Sequence, residues 1–299
     1  MKRWILILGL LLGSCVTQAT PTEEASLPTE TLAAMETSAG SPQPAATKLP
    51  QQSATAQPGP VTLIALGDSL TQGDGDDTGL GYPGRLLKKV NIIRPDTTLL
   101  NLGQSGWSSD ALIAGDLGLE SQLTQAISEA EAATAAGRYP VALLWIGSND
   151  LWYLYEYGDG SVESERNDLN RFAANLDAII GRLKDAGAEV IVAKLDDQSK
   201  RPVAIKGEAF VSIPPEELKK MSAQVVQYNL IIEEKAAQYN AMTVDFYSTD
   251  IFTNPATLYD DGNHPNHVGY NLIAQIWFEA LKKLLSIKRP SKLRGFLFL

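Results

Sequence analysis

The chain has 299 residues, 44% of them hydrophobic, and carries a net charge of −10. That length holds one large domain with a substantial core, or two small ones. The acidic balance, with no long basic run, argues against nucleic acid as a partner, and a single cysteine, Cys15, excludes an intrachain disulfide and a cysteine-based metal site.

Met1-Lys2-Arg3 gives a positive start, Trp4 to Leu12 is apolar, and Gly13-Ser14 are small. This is the pattern of a secretory signal, and it falls far short of the ~20 apolar residues that a spanning helix needs. Leu12-Gly13-Ser14-Cys15 resembles the lipobox of bacterial lipoproteins. The resemblance implies that residues 1–14 are removed and that Cys15 is lipidated. The protein would then sit on the extracytoplasmic side of the bacterial cell envelope, with the membrane as a partner through its acyl chains. Residues 15–60 are dominated by Thr, Ala, Pro, Ser, Glu and Gln. They bury too little surface to offset ordering entropy, and are expected to form a disordered tether.

From residue 61 to 287 the pattern is that of a folded domain, followed by a tail, 288–299, whose structure the sequence does not decide. Strands are expected at Val61–Leu66, Thr97–Leu102, Val141–Ile146, Glu189–Leu195 and Met242–Phe246, all short apolar runs. Helices are expected at Gly84–Asn91, Leu117–Ala136, Arg166–Ala186, Pro215–Asn240 and His267–Leu285. Such alternation builds an α/β fold, a mostly parallel sheet with helices on both faces.

Four polar segments lie at the ends of these strands. They are Gly67-Asp68-Ser69-Leu70-Thr71, Asn101-Leu102-Gly103-Gln104-Ser105-Gly106, Gly147-Ser148-Asn149-Asp150, and Asp260-Asp261-Gly262-Asn263-His264-Pro265. In a parallel sheet the carboxyl ends of the strands share one edge, so the four converge. Their chemistry suits acyl transfer. A serine hydroxyl needs a base to take its proton, and the chain has only two histidines, His264 and His267. Asp261, three residues before His264, is placed to hold its tautomer. Gly103 and Ser69 offer backbone N–H groups, and Asn149 an amide N–H, to the oxygen of a tetrahedral intermediate.

These blocks resemble the SGNH, or GDSL-type, esterase and lipase family over about residues 61–285. The resemblance implies a three-layer α/β/α sandwich with five parallel strands in flavodoxin-like order. It implies Ser69 as nucleophile, His264 as base, Asp261 as third triad member, and Ser69, Gly103 and Asn149 as oxyanion donors. It also implies a carboxylic ester substrate, among them short acyl esters, lysophospholipids, thioesters and acetylated carbohydrates, with no cofactor and no metal.

Other readings compete at several positions. Ser105 is a second serine near a strand end, but the full Gly-x-Ser-x-Gly pattern is absent because Trp107 stands where the last glycine belongs. His267 opens a helix, and Asp150 is placed to brace its loop. Asp74, Asp76 and Asp77 suggest a solvated, mobile loop, with the spacing of a calcium loop incomplete. Trp145 is expected in the core. The aromatic run Trp152 to Tyr157 is expected in a loop over the site, as an acyl or sugar contact surface. The rival function is a surface lipoprotein that binds a small ligand without chemistry. Asp68, Asp74, Asp76 and Asp77 count against a phosphate there.

Overall fold

The computed structural model describes residues 59–207 and 213–287. The signal segment, Cys15, nearly all of the tether and the tail lie outside the described residues. Five strands form one sheet: β1 Val61–Gly67, β2 Thr98–Asn101, β3 Tyr139–Trp145, β4 Glu189–Lys194 and β5 Met242–Asp245. All pairings are parallel, in the order β2-β1-β3-β4-β5, which is the flavodoxin-like order. Every residue of β1 and β3 is buried. That is why they read as unbroken apolar runs rather than alternating ones. The edge strands β2 and β5 are partly exposed.

Helices cover both faces. α2 (Gly81–Ile93) packs against α9 (His267–Ile287) on one side. On the other, α6 (Val162–Asp185) lies between α4 (Gln122–Ala135) and α8 (Pro215–Gln238). Four short helices sit near the carboxyl edge of the sheet: α1 (Ser69–Gln72), α3 (Ser109–Ala114), α5 (Ser148–Glu156) and α7 (Pro202–Lys206). Aromatic rings fill both layers of core. Trp145 stacks on Phe246 at 4.1 Å and Tyr82 on Trp277 at 5.5 Å, while Phe172 stacks on Tyr228 at 4.2 Å. Trp145 is fully buried, as expected. Among the described residues no helix is long and apolar enough to cross a membrane.

Register decides what reaches the edge. Gly67 pairs with Trp145 and Ala65 with Asn101. The first and third strands therefore end level, and the residues after them are neighbours.

Two expectations are corrected. The helix expected over Leu117–Ala136 is broken. Leu117 sits at φ 52° in a turn closed by the Asp116–Leu119 bridge. α4 begins only after Ser121, whose hydroxyl accepts from Thr124 N–H at 3.1 Å. Glycines at 115 and 118 favour the turn over the helix. The aromatic run Trp152 to Tyr157 is not a covering loop. Most of it belongs to α5, whose buried residues include Leu151, Trp152, Leu154 and Tyr155, and Tyr157 is exposed at the helix end.

Candidate active site

The turn after β1 is built tightly. A Cβ on Gly67 would lie 2.2 Å from the Trp145 carbonyl oxygen and 2.3 Å from Thr71 Oγ1, so only hydrogen fits. The buried Gln122 amide pins the same residue. It accepts from Gly67 N–H and donates to the Gly67 carbonyl, both at 2.9 Å. Asp68 then caps α1, its Oδ1 accepting from Leu70 N–H at 3.0 Å. Ser69 is the first residue of α1, so its N–H carries no intrahelical bond.

His264 reaches this turn from the loop after β5. Its Nε2 lies 2.9 Å from Ser69 Oγ, across 195 positions of sequence. Its Nδ1 lies 2.7 Å from Asp261 Oδ2. The other Asp261 oxygen accepts the backbone N–H groups of Asn263 and His264 at 2.8 and 2.9 Å. Burial works to raise the Asp261 carboxyl, but the His264 contact and these N–H groups hold it below the usual range. An ionised Asp261 accepts the Nδ1–H hydrogen bond, which leaves Nε2 free to accept from the serine hydroxyl.

Gly103 and Asn149 stand on either side of this pair in the sheet. A Cβ on Gly103 would come within 2.3 Å of Gln72 N, so a glycine is needed for the chain to pass α1. The Gly103 N–H donates to Asn101 Oδ1 at 3.1 Å. Asn149 Nδ2 donates to the Trp107 carbonyl at 2.9 Å. That bond fixes the amide and uses one of its two hydrogens. Asp150 braces the loop as anticipated. It is buried, accepts from the Ser109 N–H and hydroxyl, and faces Arg171 at 3.5 Å. Burial pushes its carboxyl up to about 6.

The remaining candidates lie elsewhere. Ser105 is exposed, with its N–H donating to Gln72 Oε1 at 2.6 Å. His267 begins α9, with Nδ1 3.7 Å from the exposed Asp77. Asp76 is not part of a solvated loop. Its side chain is fully buried in an ion pair with Arg85, and it accepts from Thr78 and from the Leu80 and Gly81 N–H groups. Among the described residues no three His, Cys, Asp or Glu side chains group closely enough to hold a metal ion.

The description of the GDSL-like lipase/acylhydrolase family matches residues 65–272. The chain belongs to that family. The chain is 23% identical over 231 residues to the uncharacterized protein YpmR of Bacillus subtilis (strain 168), covering 75% of the chain and 82% of the relative. Its fold resembles that of the psychrotrophic esterase EstA from Pseudoalteromonas sp., with a TM-score of 0.51, 20% identity, and 75% and 98% of the two chains covered. It also resembles a catalytic mutant of Axe2, an acetylxylan esterase from Geobacillus stearothermophilus, at a TM-score of 0.49, 18% identity, and coverage of 74% and 93%.

One part of the site lies outside the four blocks. The segment after β4, Asp196-Asp197-Gln198, ends on the same sheet edge as the four blocks. From just beyond it comes Arg201, which is buried and donates to both Asp196 oxygens at 2.8 and 2.7 Å and to Asn263 Oδ1 at 2.8 Å. Its guanidinium lies 4.6 Å from the Phe252 ring centre. Arg201 thus fixes the residue next to His264. The signal was available, since Asp196-Asp197 follows the expected strand Glu189–Leu195 as the other polar blocks follow theirs.

Proposed function

We propose that the protein is a serine esterase that cleaves carboxylic esters through an acyl-enzyme on Ser69. The observation that carries this reading is the line from Asp261 Oδ2 through His264 to Ser69 Oγ, with contacts of 2.7 and 2.9 Å. Ser69 Oγ attacks the ester carbonyl carbon while His264 Nε2 takes the hydroxyl proton. Asp261 stabilises the imidazolium. The oxygen of the tetrahedral intermediate is received by the Ser69 N–H and the second Asn149 amide hydrogen, and by the Gly103 N–H if it leaves Asn101. His264 then gives its proton to the leaving alcohol. Water repeats the sequence on the acyl-enzyme and frees the carboxylic acid.

Membership of the acylhydrolase family supports the reaction class. The resemblance of residues 12–15 to a lipobox supports the further proposal that the enzyme works at the bacterial envelope, anchored through Cys15.

The test is turnover of p-nitrophenyl acetate by Ser69→Ala and Ser105→Ala. We expect Ser69→Ala to lose turnover with its circular dichroism unchanged, and Ser105→Ala to keep it. A folded Ser69→Ala variant as active as the parent would refute the proposal.

A further inference from the structure

The two ends of the sheet differ in character. Each crossover helix starts after the carboxyl end of one strand and finishes before the amino end of the next. Helix starts therefore collect at the edge that carries Ser69, and helix ends at the opposite, amino edge. There α2 and α9 end side by side over a groove whose lining includes Ile93, Arg94, Lys282, Lys283 and Leu285, with Glu279 as its one acid. Glu279 is already paired with Lys282 at 2.8 Å. Ile92 is 82% exposed and Ile93 44%. Exposed isoleucines are ordinary alone, but two of them beside three cations have the make-up of a surface that enters a charged lipid interface.

The chain leading from Cys15 enters the fold at this same edge. The Pro60 carbonyl accepts from Tyr139 N–H at 2.9 Å. Arg138 Nη2 donates to the carbonyls of Val61 and Asp96 at 2.7 and 2.9 Å, which ties the entry point to the turn that carries Arg94. The sequence beyond α9 has the same composition as the groove, with Lys288, Arg289, Lys292 and Arg294 ahead of Phe296-Leu297-Phe298-Leu299. The edge that carries Ser69 also exposes apolar side chains, Leu117 ahead of α4, and Tyr157 and Val162 on the way into α6. These stand among the exposed Asp116, Glu120, Asp159 and Glu163, which an anionic surface repels.

We propose, resting on the envelope reading above, that the amino edge is a docking face for a bilayer rich in anionic phospholipid. Ile92 and Ile93 enter the interface, while Arg94, Lys282 and Lys283 meet headgroup phosphates. β1 has seven residues, a span of about 20 Å at ~3.3 Å per residue. Docking by the amino edge holds Ser69 that far from the bilayer and turned away from it, so esters reach it from the aqueous side.

The experiment places an environment-sensitive dye on a single cysteine in the full chain carrying Cys15→Ala. One label sits at Ile92→Cys, the other at Ser105→Cys on the opposite edge. Vesicles are phosphatidylcholine alone or mixed with phosphatidylglycerol. We expect the dye at position 92 to shift to the blue on the mixed vesicles only, and to return in high salt. The dye at position 105 should not respond. Lys282→Glu/Lys283→Glu, with unchanged circular dichroism, should need at least about 25-fold more lipid for the same shift, since each cation near such a surface contributes about fivefold. All variants share residues 1–14, so a difference between dye positions or between lipids reports the face alone. No shift at position 92, an equal shift at 105, or a shift that survives the double reversal would overturn docking by this face. So would a shift on concentrating the protein without vesicles, which marks self-association. Blue emission without vesicles that is lost on deleting residues 288–299 would overturn it too, by making the tail the occupant of the groove. Mass spectrometry of the unsubstituted protein from a bacterial membrane reads acylation of Cys15 separately, so the anchor and the docking face fail independently.

Discussion

Ser69 owes its position to its neighbours. Gly67 clears the turn, Gln122 pins it and Asp68 caps the helix, which leaves the hydroxyl 2.9 Å from His264 Nε2. Asn149 is held in the same manner by the Trp107 carbonyl, and its neighbour Asp150 is fixed by the Ser109 N–H. If its free amide hydrogen receives the oxyanion, Asn149→Ala should lower kcat on p-nitrophenyl acetate by ~10²–10³-fold, equivalent to ~2.7–4 kcal/mol, with little change in KM. Steady-state kinetics on the folded variant check this, and an unchanged kcat would remove Asn149 from the machinery. The residues named from sequence are polar groups stranded at strand ends, where a core explanation fails. Asp196-Asp197 lay in view after β4, but no spacing announces that Arg201 is buried against Asp196 and reaches Asn263 beside His264.

At the scale of elements, the loop from Gly73 to Leu80 links the Ser69 turn to the His264 loop. A Cβ on Gly75 would lie 2.9 Å from His264 Cβ, and the Tyr270 hydroxyl donates to the Asp74 carbonyl at 2.8 Å. Asp76 anchors this loop to α2. Burial works to raise its carboxyl, but Arg85, Thr78 and the Gly81 N–H hold it well below the usual range. A carboxyl depressed in the folded state stabilises the fold above its unfolded value, near 4, and that contribution fades as pH falls through the folded value. Asp76→Ala leaves a buried guanidinium unpaired, which costs ~3–5 kcal/mol. Its melting temperature should therefore fall furthest below the parent's near pH 7, and the gap should narrow below about pH 4. A gap that does not change with pH would show that the ion pair is not the source of the stability. The acidic spacing suggested solvation because sequence alone does not reveal that Arg85, one turn into the next helix, closes back on it. α5 is the opposite case. Its buried positions 151, 154 and 155 follow helical spacing, but the run after the Asn149 block was expected as a covering loop.

For the whole molecule, five apolar runs alternating with helices were enough to establish a parallel sheet covered on both faces. The strand order was not in that alternation, and it came from the likeness of the four blocks to a family. Order is what matters for the chemistry. Placing β1 between β2 and β3 puts Gly103 and Asn149 on either side of Ser69, and the loop after the outer strand β5 then carries His264 back to it. The central claim is that this convergence makes one serine of the chain uniquely nucleophilic. Reaction of the full chain with a fluorophosphonate, followed by peptide mapping, measures it directly. The account predicts one covalent adduct, on the peptide containing Ser69, and none in His264→Ala. An adduct on Ser105 or another serine, or equal labelling after His264 is replaced, would contradict it.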